Sequence, residues 1–171
     1  VVLIAGPVSL TVNHPNIHRI DVESAEEMYT ASMNAFPTSD AAILCAAVAD
    51  YRPEVQSDHK LKREREGDME LRLIANKDIA ASLGAIKQED QVLVGFALET
   101  DDELTHAKNK LKKKNLDFIV LNSLQDKGAG FRHDTNKISI LDSKGEITDF
   151  PLKSKQQVAL DIVDKLVTLL K

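Results

Sequence analysis

The chain has 171 residues, of which 43% are hydrophobic and 29% are charged, and its formal net charge is −5. This composition is typical of one folded domain with a sizeable core, and its acidic balance argues against a general nucleic-acid-binding protein. The sequence predicts a cytoplasmic protein without a membrane segment, because no apolar run approaches the roughly 20 residues that cross a bilayer and residues 1–5 are too short for a signal peptide.

The first part of the chain alternates apolar runs with one capped helix. Strands are predicted at residues 1–5, 17–21 and 41–48. Ser24 and Glu27 have the spacing of a capping box, which predicts a helix from there to about Phe36. Cys45 lies inside an apolar run, which predicts a buried, chemically silent side chain. Because the sequence opens directly on a strand, we expect one domain over residues 1–171 that is incomplete at its N-terminus.

The second part of the chain continues the alternation of strands and helices. Strands are predicted at residues 69–73, 91–98, 117–122, 137–141 and 146–151, and helices at residues 76–85 and 101–114. The last two strands form a hairpin about Gly145, and Ser154 with Gln157 caps a final helix. Its apolar face carries Val158, Ile162, Leu166 and Leu169. The pattern predicts a Rossmann-like, doubly wound, mainly parallel sheet with helices on both faces, a C-terminal hairpin and a missing first βα unit.

Two basic clusters stand out against the acidic average. One covers residues 59–63, and the other contains five lysines between residues 108 and 114. The first is also explained as an exposed loop, which is often charged, and the second as a lysine-rich last turn that complements the helix dipole. Both also follow strand ends, where an open α/β sheet binds its ligand and where lysines can neutralise a polyphosphate. Asp50 and Asp78 are candidate magnesium ligands, although Asp78 is equally well explained as an acid in the first turn of a helix.

Seven short motifs occur in one order along the chain: GPVSL, AAVADYRP, KLK, NKDI, VGFALET, NLDFIVLN and GFRHDTN. In this series the sequence resembles the bacterial phosphopantothenate-cysteine ligase family, also called phosphopantothenoylcysteine synthetase. The resemblance covers essentially the whole chain. Members of that family usually form the C-terminal half of a bifunctional coenzyme A biosynthesis protein, whose N-terminal half is a flavin-dependent decarboxylase.

The resemblance implies a nucleotide site at the end of the third strand and around it. The implied nucleotide-binding residues are Leu44, Cys45, Ala46, Asp50, Lys60, Lys77, Asp78, Ile79, Ala80, Phe96, Lys110 and Lys114. Lys60 is the implied catalytic residue, since it matches the first lysine of a mobile flap. By the resemblance, Asp50 meets the sugar or the metal side of the nucleotide, and Asp50 and Asp78 are the candidate ligands of Mg²⁺ or Mn²⁺. Phe96 is expected either to stack on a ring of the ligand or to belong to the core.

By the same resemblance, the expected reaction joins 4'-phosphopantothenate and L-cysteine through an acyl-cytidylate formed from CTP. FMN is expected only in an upstream decarboxylase domain, if one is present, and the expected assembly is a homodimer that contacts neither nucleic acid nor membrane. Two alternatives remain open. A Rossmann-like NAD(P) oxidoreductase shares the fold, and a non-catalytic nucleotide-binding or interaction domain is compatible with an incomplete sheet.

Overall fold

The computed structural model describes residues 1–57, 59, 69–99, 103–123 and 134–170. Its strands are β1 (Val2–Ala5), β2 (His18–Asp21), β3 (Ala41–Leu44), β4 (Tyr51–Pro53), β5 (Leu73–Ala75), β6 (Val92–Glu99), β7 (Phe118–Ser123), β8 (Thr135–Asn136), β9 (Ile138–Asp142), β10 (Ile147–Asp149) and β11 (Lys153–Ser154). Its α-helices are α1 (Ala25–Ala35), α2 (Ile79–Ile86), α3 (Glu103–Lys113) and α4 (Lys155–Leu169).

The central sheet has five strands in the order β10-β9-β7-β6-β3. Strands β3, β6 and β7 are parallel, whereas β9 and β10 run antiparallel at one edge as the predicted hairpin. Strands β1 and β2 form a separate parallel pair, and β4 with β5 forms a two-stranded antiparallel ribbon. The predicted mainly parallel α/β architecture is therefore confirmed.

Two hydrophobic cores lie on opposite faces of the central sheet, because alternate residues of a strand point to opposite sides. Leu93 and Ala97 of β6 belong to the core that includes Leu83 of α2 and Ala107 of α3. The other core contains Val92 and Val94 of β6 with Val158 and Ile162 of α4. Helices therefore cover both faces, as the sequence predicts.

The two predicted capping boxes are confirmed. The Ser24 hydroxyl accepts a hydrogen bond from the backbone N–H of Glu27, and the Glu27 carboxylate accepts one in return from the Ser24 backbone. Ser154 and Gln157 repeat this arrangement at the start of α4. A good N-cap is worth about 1 kcal/mol, so the local sequence fixes where both helices begin.

Strand β3 is shorter than predicted and ends at Leu44, which pairs with Gly95. The prediction that Cys45 is buried is wrong, because the chain leaves the sheet there and Cys45 is exposed. The next side chains, Ala46 and Ala47, bury little apolar surface and so give little reason to continue the strand. A hydrogen bond from the Val48 N–H to the Ala46 carbonyl, at 3.1 Å, turns the backbone instead.

The predicted strand at residues 69–73 is wrong in its position. The pairing segment is β5, in which Leu73 is opposite Pro53 and Ala75 is opposite Tyr51. Strand β4 is not predicted from the sequence, because three residues that contain a proline are too few to show an alternating pattern.

Within the described ranges, no helix combines the length and the hydrophobicity that a bilayer crossing requires.

Candidate nucleotide-binding site

Two chain segments lie side by side at the carboxyl end of β3. We call residues 45–50 the strand-end loop and residues 76–80, which lead into α2, the helix-entry segment. Most side chains of the strand-end loop are exposed, and Val48 alone of the six packs partly against the α2 side of the core. Carboxyl ends of parallel strands are where open α/β sheets bind their ligands. The structure thus brings together two groups of residues that are separate in sequence.

The side chain of Asn76 joins these two segments. Its Nδ2 donates a 2.7 Å hydrogen bond to the Ala49 carbonyl, and its backbone N–H donates a 2.8 Å bond to the Asp50 carbonyl. Its Oδ1 accepts a 2.8 Å hydrogen bond from Nη1 of Arg52, which also lies 3.3 Å from the Ala75 carbonyl oxygen. No role is predicted for Asn76 or Arg52 from the sequence, although Asn76 lies in the NKDI motif and Arg52 in the AAVADYRP motif.

Asp78 is the N-cap of α2, and its Oδ1 accepts a 3.0 Å hydrogen bond from the Ala81 N–H. Its Oδ2 lies 3.0 Å from Nζ of Lys114. Burial raises the pKa of Asp78, but the Ala81 N–H and the neighbouring Lys114 ammonium outweigh burial and hold that pKa below its usual value. The carboxylate is therefore ionised at neutral pH, and two implied nucleotide-binding residues form an ion pair with each other.

Lys77 is directed towards α1. Its Nζ lies 2.5 Å from Oε1 of Glu26 and 4.5 Å from the centre of the Tyr29 ring. These contacts link the helix-entry segment to α1. An exposed ion pair of this kind contributes little stability, and so its lysine can exchange partners when a phosphate is present.

The remaining implied residues are distributed around these segments. Phe96 is partly buried against the core on the α4 face of the sheet, opposite to α2. Of the two expectations for this residue, the structure therefore agrees with a place in the core. Lys110 lies on α3 one turn before Lys114, and its backbone carbonyl accepts the Lys114 N–H at 2.9 Å. Ile79 is buried in the core and Ala80 is partly buried. Lys60 lies outside the described residues.

The two candidate metal ligands, Asp50 and Asp78, differ in their surroundings. In the described part of the chain, no three His, Cys, Asp or Glu side chains are grouped as metal ligands. Magnesium typically takes one or two protein carboxylates and completes its shell with water and phosphate oxygens. The exposed carboxylate of Asp50 meets this requirement. Asp78 has both oxygens engaged, and it would meet the requirement only after Lys114 moved away.

An open, largely apolar depression of about 580 Å³ lies elsewhere, between α1 and the β1–β2 pair. It is lined by Val2, Ile20, Val22 and Ala31 together with polar groups of α1. The implied nucleotide-binding residues do not line it, so its shape gives no information about the strand-end site.

The sheet order defines an α/β protein of the Rossmann-like type, and the two segments lie at the edge where such sheets bind their ligands. The chain belongs to the family described as DNA/pantothenate metabolism flavoprotein C-terminal domain, whose model matches residues 1–170. This result confirms the family resemblance that the motifs suggested.

Individual relatives agree with the family assignment. The chain is 55% identical over 169 residues to a cysteine/cysteine sulfinic acid decarboxylase of an unknown prokaryotic organism, covering 99% of this chain and 47% of that protein. It is 42% identical over 171 residues to the coenzyme A biosynthesis bifunctional protein CoaBC of Bacillus subtilis (strain 168), covering 100% of this chain and 42% of that protein. The chain therefore spans less than half the length of these relatives.

A solved structure of the C-terminal domain of coenzyme A biosynthesis bifunctional protein CoaBC has the same fold. The TM-score is 0.78 at 33% sequence identity, and the match covers 98% of this chain and 75% of that structure. The likeness extends over nearly all of the chain.

Proposed function

We propose that this domain acts as a CTP-dependent ligase, which joins 4'-phosphopantothenate and L-cysteine in coenzyme A biosynthesis. The observation that carries the proposal is the contact between the strand-end loop and the helix-entry segment. The resemblance implies nucleotide-binding residues in both segments, and hydrogen bonds from Asn76 hold the two together at the carboxyl end of β3. The family assignment and the likeness to CoaBC support the same proposal.

The reaction would proceed in two steps. A carboxylate oxygen of phosphopantothenate attacks the α-phosphorus of CTP, the bond to the β-phosphate oxygen breaks, and pyrophosphate leaves. The amine of cysteine then attacks the acyl carbon of the acyl-cytidylate, and CMP leaves with the bonding electrons while the amine loses a proton. Neither step needs a nucleophilic side chain, since the charge that develops on oxygen is stabilised by cations and hydrogen-bond donors.

The cations around the strand-end site suit the first step. Lys114 and Lys77 are each paired with one carboxylate of the protein, and a triphosphate would compete for both ammonium groups. Lys60 supplies further charge to the departing pyrophosphate in this proposal, on the strength of the resemblance. A bound Mg²⁺ or Mn²⁺ would neutralise phosphate oxygens, and in this proposal the exposed carboxylate of Asp50 would be its protein ligand.

We further propose that the protein works as a homodimer through the β4–β5 ribbon. Large apolar side chains on and beside the ribbon are between 52% and 78% exposed; they are Tyr51, Val55, Met69, Leu71 and Leu73. A two-stranded ribbon is marginally stable in water unless something packs against it, and exposed apolar patches commonly mark contacts with other proteins. A second copy of the chain would cover these side chains.

The proposed reaction is tested with the complete protein, 4'-phosphopantothenate, L-cysteine and either CTP or ATP. Mass spectrometry should detect phosphopantothenoylcysteine with one CMP and one pyrophosphate per product, and CTP should support the reaction better than ATP. Turnover of NAD(P)H without ligation would instead support the oxidoreductase alternative. Nucleotide binding without any turnover would support a non-catalytic domain.

A matched pair of lysine variants tests the assigned roles. Lys60→Gln should slow acyl-cytidylate formation by roughly 10²- to 10³-fold, the usual cost of losing one charge-stabilising contact. Cysteine addition to preformed acyl-cytidylate should be much less affected, because pyrophosphate has already left. Lys112→Gln is the control, since Lys112 is exposed on α3. Equal slowing of both half-reactions by Lys60→Gln would contradict the assigned role.

A second candidate function follows from the name of the 55% identical relative. In this alternative, the domain belongs to a longer protein that decarboxylates cysteine or cysteine sulfinic acid, and it contributes no ligase chemistry. The same assay separates the two candidates. Release of CO₂ from cysteine without CTP and without phosphopantothenate favours the second candidate, whereas strict dependence of product formation on a nucleoside triphosphate favours the ligase.

A further inference from the structure

Asn76 holds the backbone of the strand-end loop at two points. Its side chain and its backbone N–H reach two successive carbonyls, those of Ala49 and Asp50, at 2.7 and 2.8 Å. The loop has no helix or strand of its own between Cys45 and Asp50. Its course is therefore set by contacts of this kind and by Val48, which packs against the core.

Arg52 fixes which way the Asn76 amide points. A guanidinium only donates hydrogen bonds and stays charged at any pH at which proteins fold, so the group that faces it must be the amide oxygen. The 2.8 Å bond from Nη1 of Arg52 to Oδ1 of Asn76 therefore directs the NH₂ group at the Ala49 carbonyl. A flipped amide would place its NH₂ against Arg52 and its oxygen against a carbonyl, and both contacts would be repulsive.

We propose that Asn76 and Arg52 are positioning residues for the nucleotide base. They hold the backbone of the strand-end loop in the conformation whose N–H and C=O groups read the edge of a pyrimidine, while neither side chain contacts the reacting atoms. This inference rests on the proposed function. Displacement of a binding loop by about 1 Å commonly lowers the rate about 100-fold. Loss of a single hydrogen bond that positions the loop can therefore have a large effect on nucleotide binding and on the rate.

The principal test is Asn76→Asp, which keeps the size of the side chain and an acceptor for Arg52 but replaces the donor to Ala49 with a second oxygen. The Kd for CTP, measured by calorimetry on the complete protein with Mg²⁺, should rise about tenfold or more, as expected when a carbonyl loses its donor. The preference for CTP over UTP should fall. The KM values for 4'-phosphopantothenate and cysteine should change less than twofold.

Arg52→Met tests whether the two residues act as a unit. Without the guanidinium, the Asn76 amide is free to flip, so this variant should weaken CTP binding to a similar extent. The double variant with Asn76→Asp should bind CTP no more weakly than the worse single variant, because residues of one network are not additive. Arg52→Lys keeps a charged donor and should recover part of the affinity.

Gln91→Met is the matched control for a loss of stability alone. Nε2 of Gln91 donates to the Phe36 and Ser39 carbonyls, at 2.9 and 2.8 Å. Gln91 directly precedes β6, so these bonds lie at the amino end of that strand, whereas the strand-end loop follows the carboxyl end of the neighbouring parallel strand β3. This variant should lower the melting temperature and leave the Kd for CTP unchanged. If Asn76→Asp instead behaves like Gln91→Met, the positioning role is wrong.

The outcomes separate this inference from the proposed function. If the wild-type protein binds CTP and Asn76→Asp binds it equally well, the inference fails and the ligase proposal stands. If the wild-type protein binds CTP but performs no ligation, the ligase proposal fails and the change in Kd still decides the inference. If the wild-type protein does not bind CTP, both are overturned.

Discussion

Gly84 is the point at which α2 touches the end of α3, and its replacement by alanine gives a sharp test of this packing. A Cβ atom at Gly84 would overlap the carbonyl oxygen of Lys114 and lie 2.8 Å from the carbonyl carbon. Both are backbone atoms, so no side-chain rotation relieves the contact. Asn115 adds a 3.0 Å hydrogen bond from Nδ2 to the Gly84 carbonyl, which holds the two backbones together.

Two effects of Gly84→Ala oppose each other. Alanine has a higher helix propensity than glycine, which favours the variant by about 1 kcal/mol. Overpacking of a close contact costs about 1 to 3 kcal/mol, and the upper end applies here because backbone has to move. We therefore expect a net loss of about 2 kcal/mol in the free energy of unfolding. For a domain of this size, that loss lowers the melting temperature by about 4 to 8 °C.

Urea unfolding and thermal melts of the complete protein measure the effect of Gly84→Ala. Gly6→Ala is the control, because a Cβ at Gly6 meets only Cε of Met28, at an ordinary 3.7 Å, and there is no left-handed backbone to strain. It should be neutral or slightly stabilising. A Gly84→Ala variant as stable as Gly6→Ala would refute the close approach of α2 and α3.

Two further predictions concern acid stability and assembly. The pKa of Asp142 is raised by burial but lowered more strongly by Lys165 and by the N–H groups of Glu146 and Lys144, so it lies below its usual value. The ionised carboxylate therefore stabilises the fold fully above the unfolded pKa of about 4, and this contribution is lost as the pH falls through the lower folded value. Asp142→Asn should lower the free energy of unfolding by about 1.5 to 3 kcal/mol at pH 7 and by much less near pH 3, as measured by urea unfolding. Leu71→Glu should shift the sedimentation coefficient from that of a dimer to that of a monomer, and a wild-type protein that sediments as a monomer would contradict the proposed interface.

Elements that depend on local sequence were predictable. Both capping boxes, the central strands β6 and β7 and the β9–β10 hairpin follow from residue types within a few positions of one another. Gly145 at the hairpin turn has a φ of 87°, which lies in the left-handed region that glycine adopts without steric cost. In these cases local propensity and the final packing agree, so the pattern alone identifies the element.

Features set by distant contacts were not predictable from the pattern. The run from Ala41 to Val48 is apolar throughout, yet β3 stops at Leu44 and exposes Cys45. The burial of an apolar run depends on what covers it, and hydrophobicity alone does not record that. Similarly, β4 exists only because residues some 20 positions later pair with it.

The resemblance predicts the individual residues of the candidate site. The contacts that hold the strand-end loop against the helix-entry segment, however, come from Asn76 and Arg52, for which the sequence predicts no role. Asp50 and Asp78 are 28 residues apart in sequence. The Asp50 carbonyl accepts a hydrogen bond from the Asn76 N–H, and Asp78, two residues after Asn76, is held as the N-cap of α2. An asparagine that bridges two loops has no periodicity and no spacing rule. Its identity in the sequence becomes informative only when its two hydrogen-bonding ends are seen to face a guanidinium on one side and a carbonyl on the other.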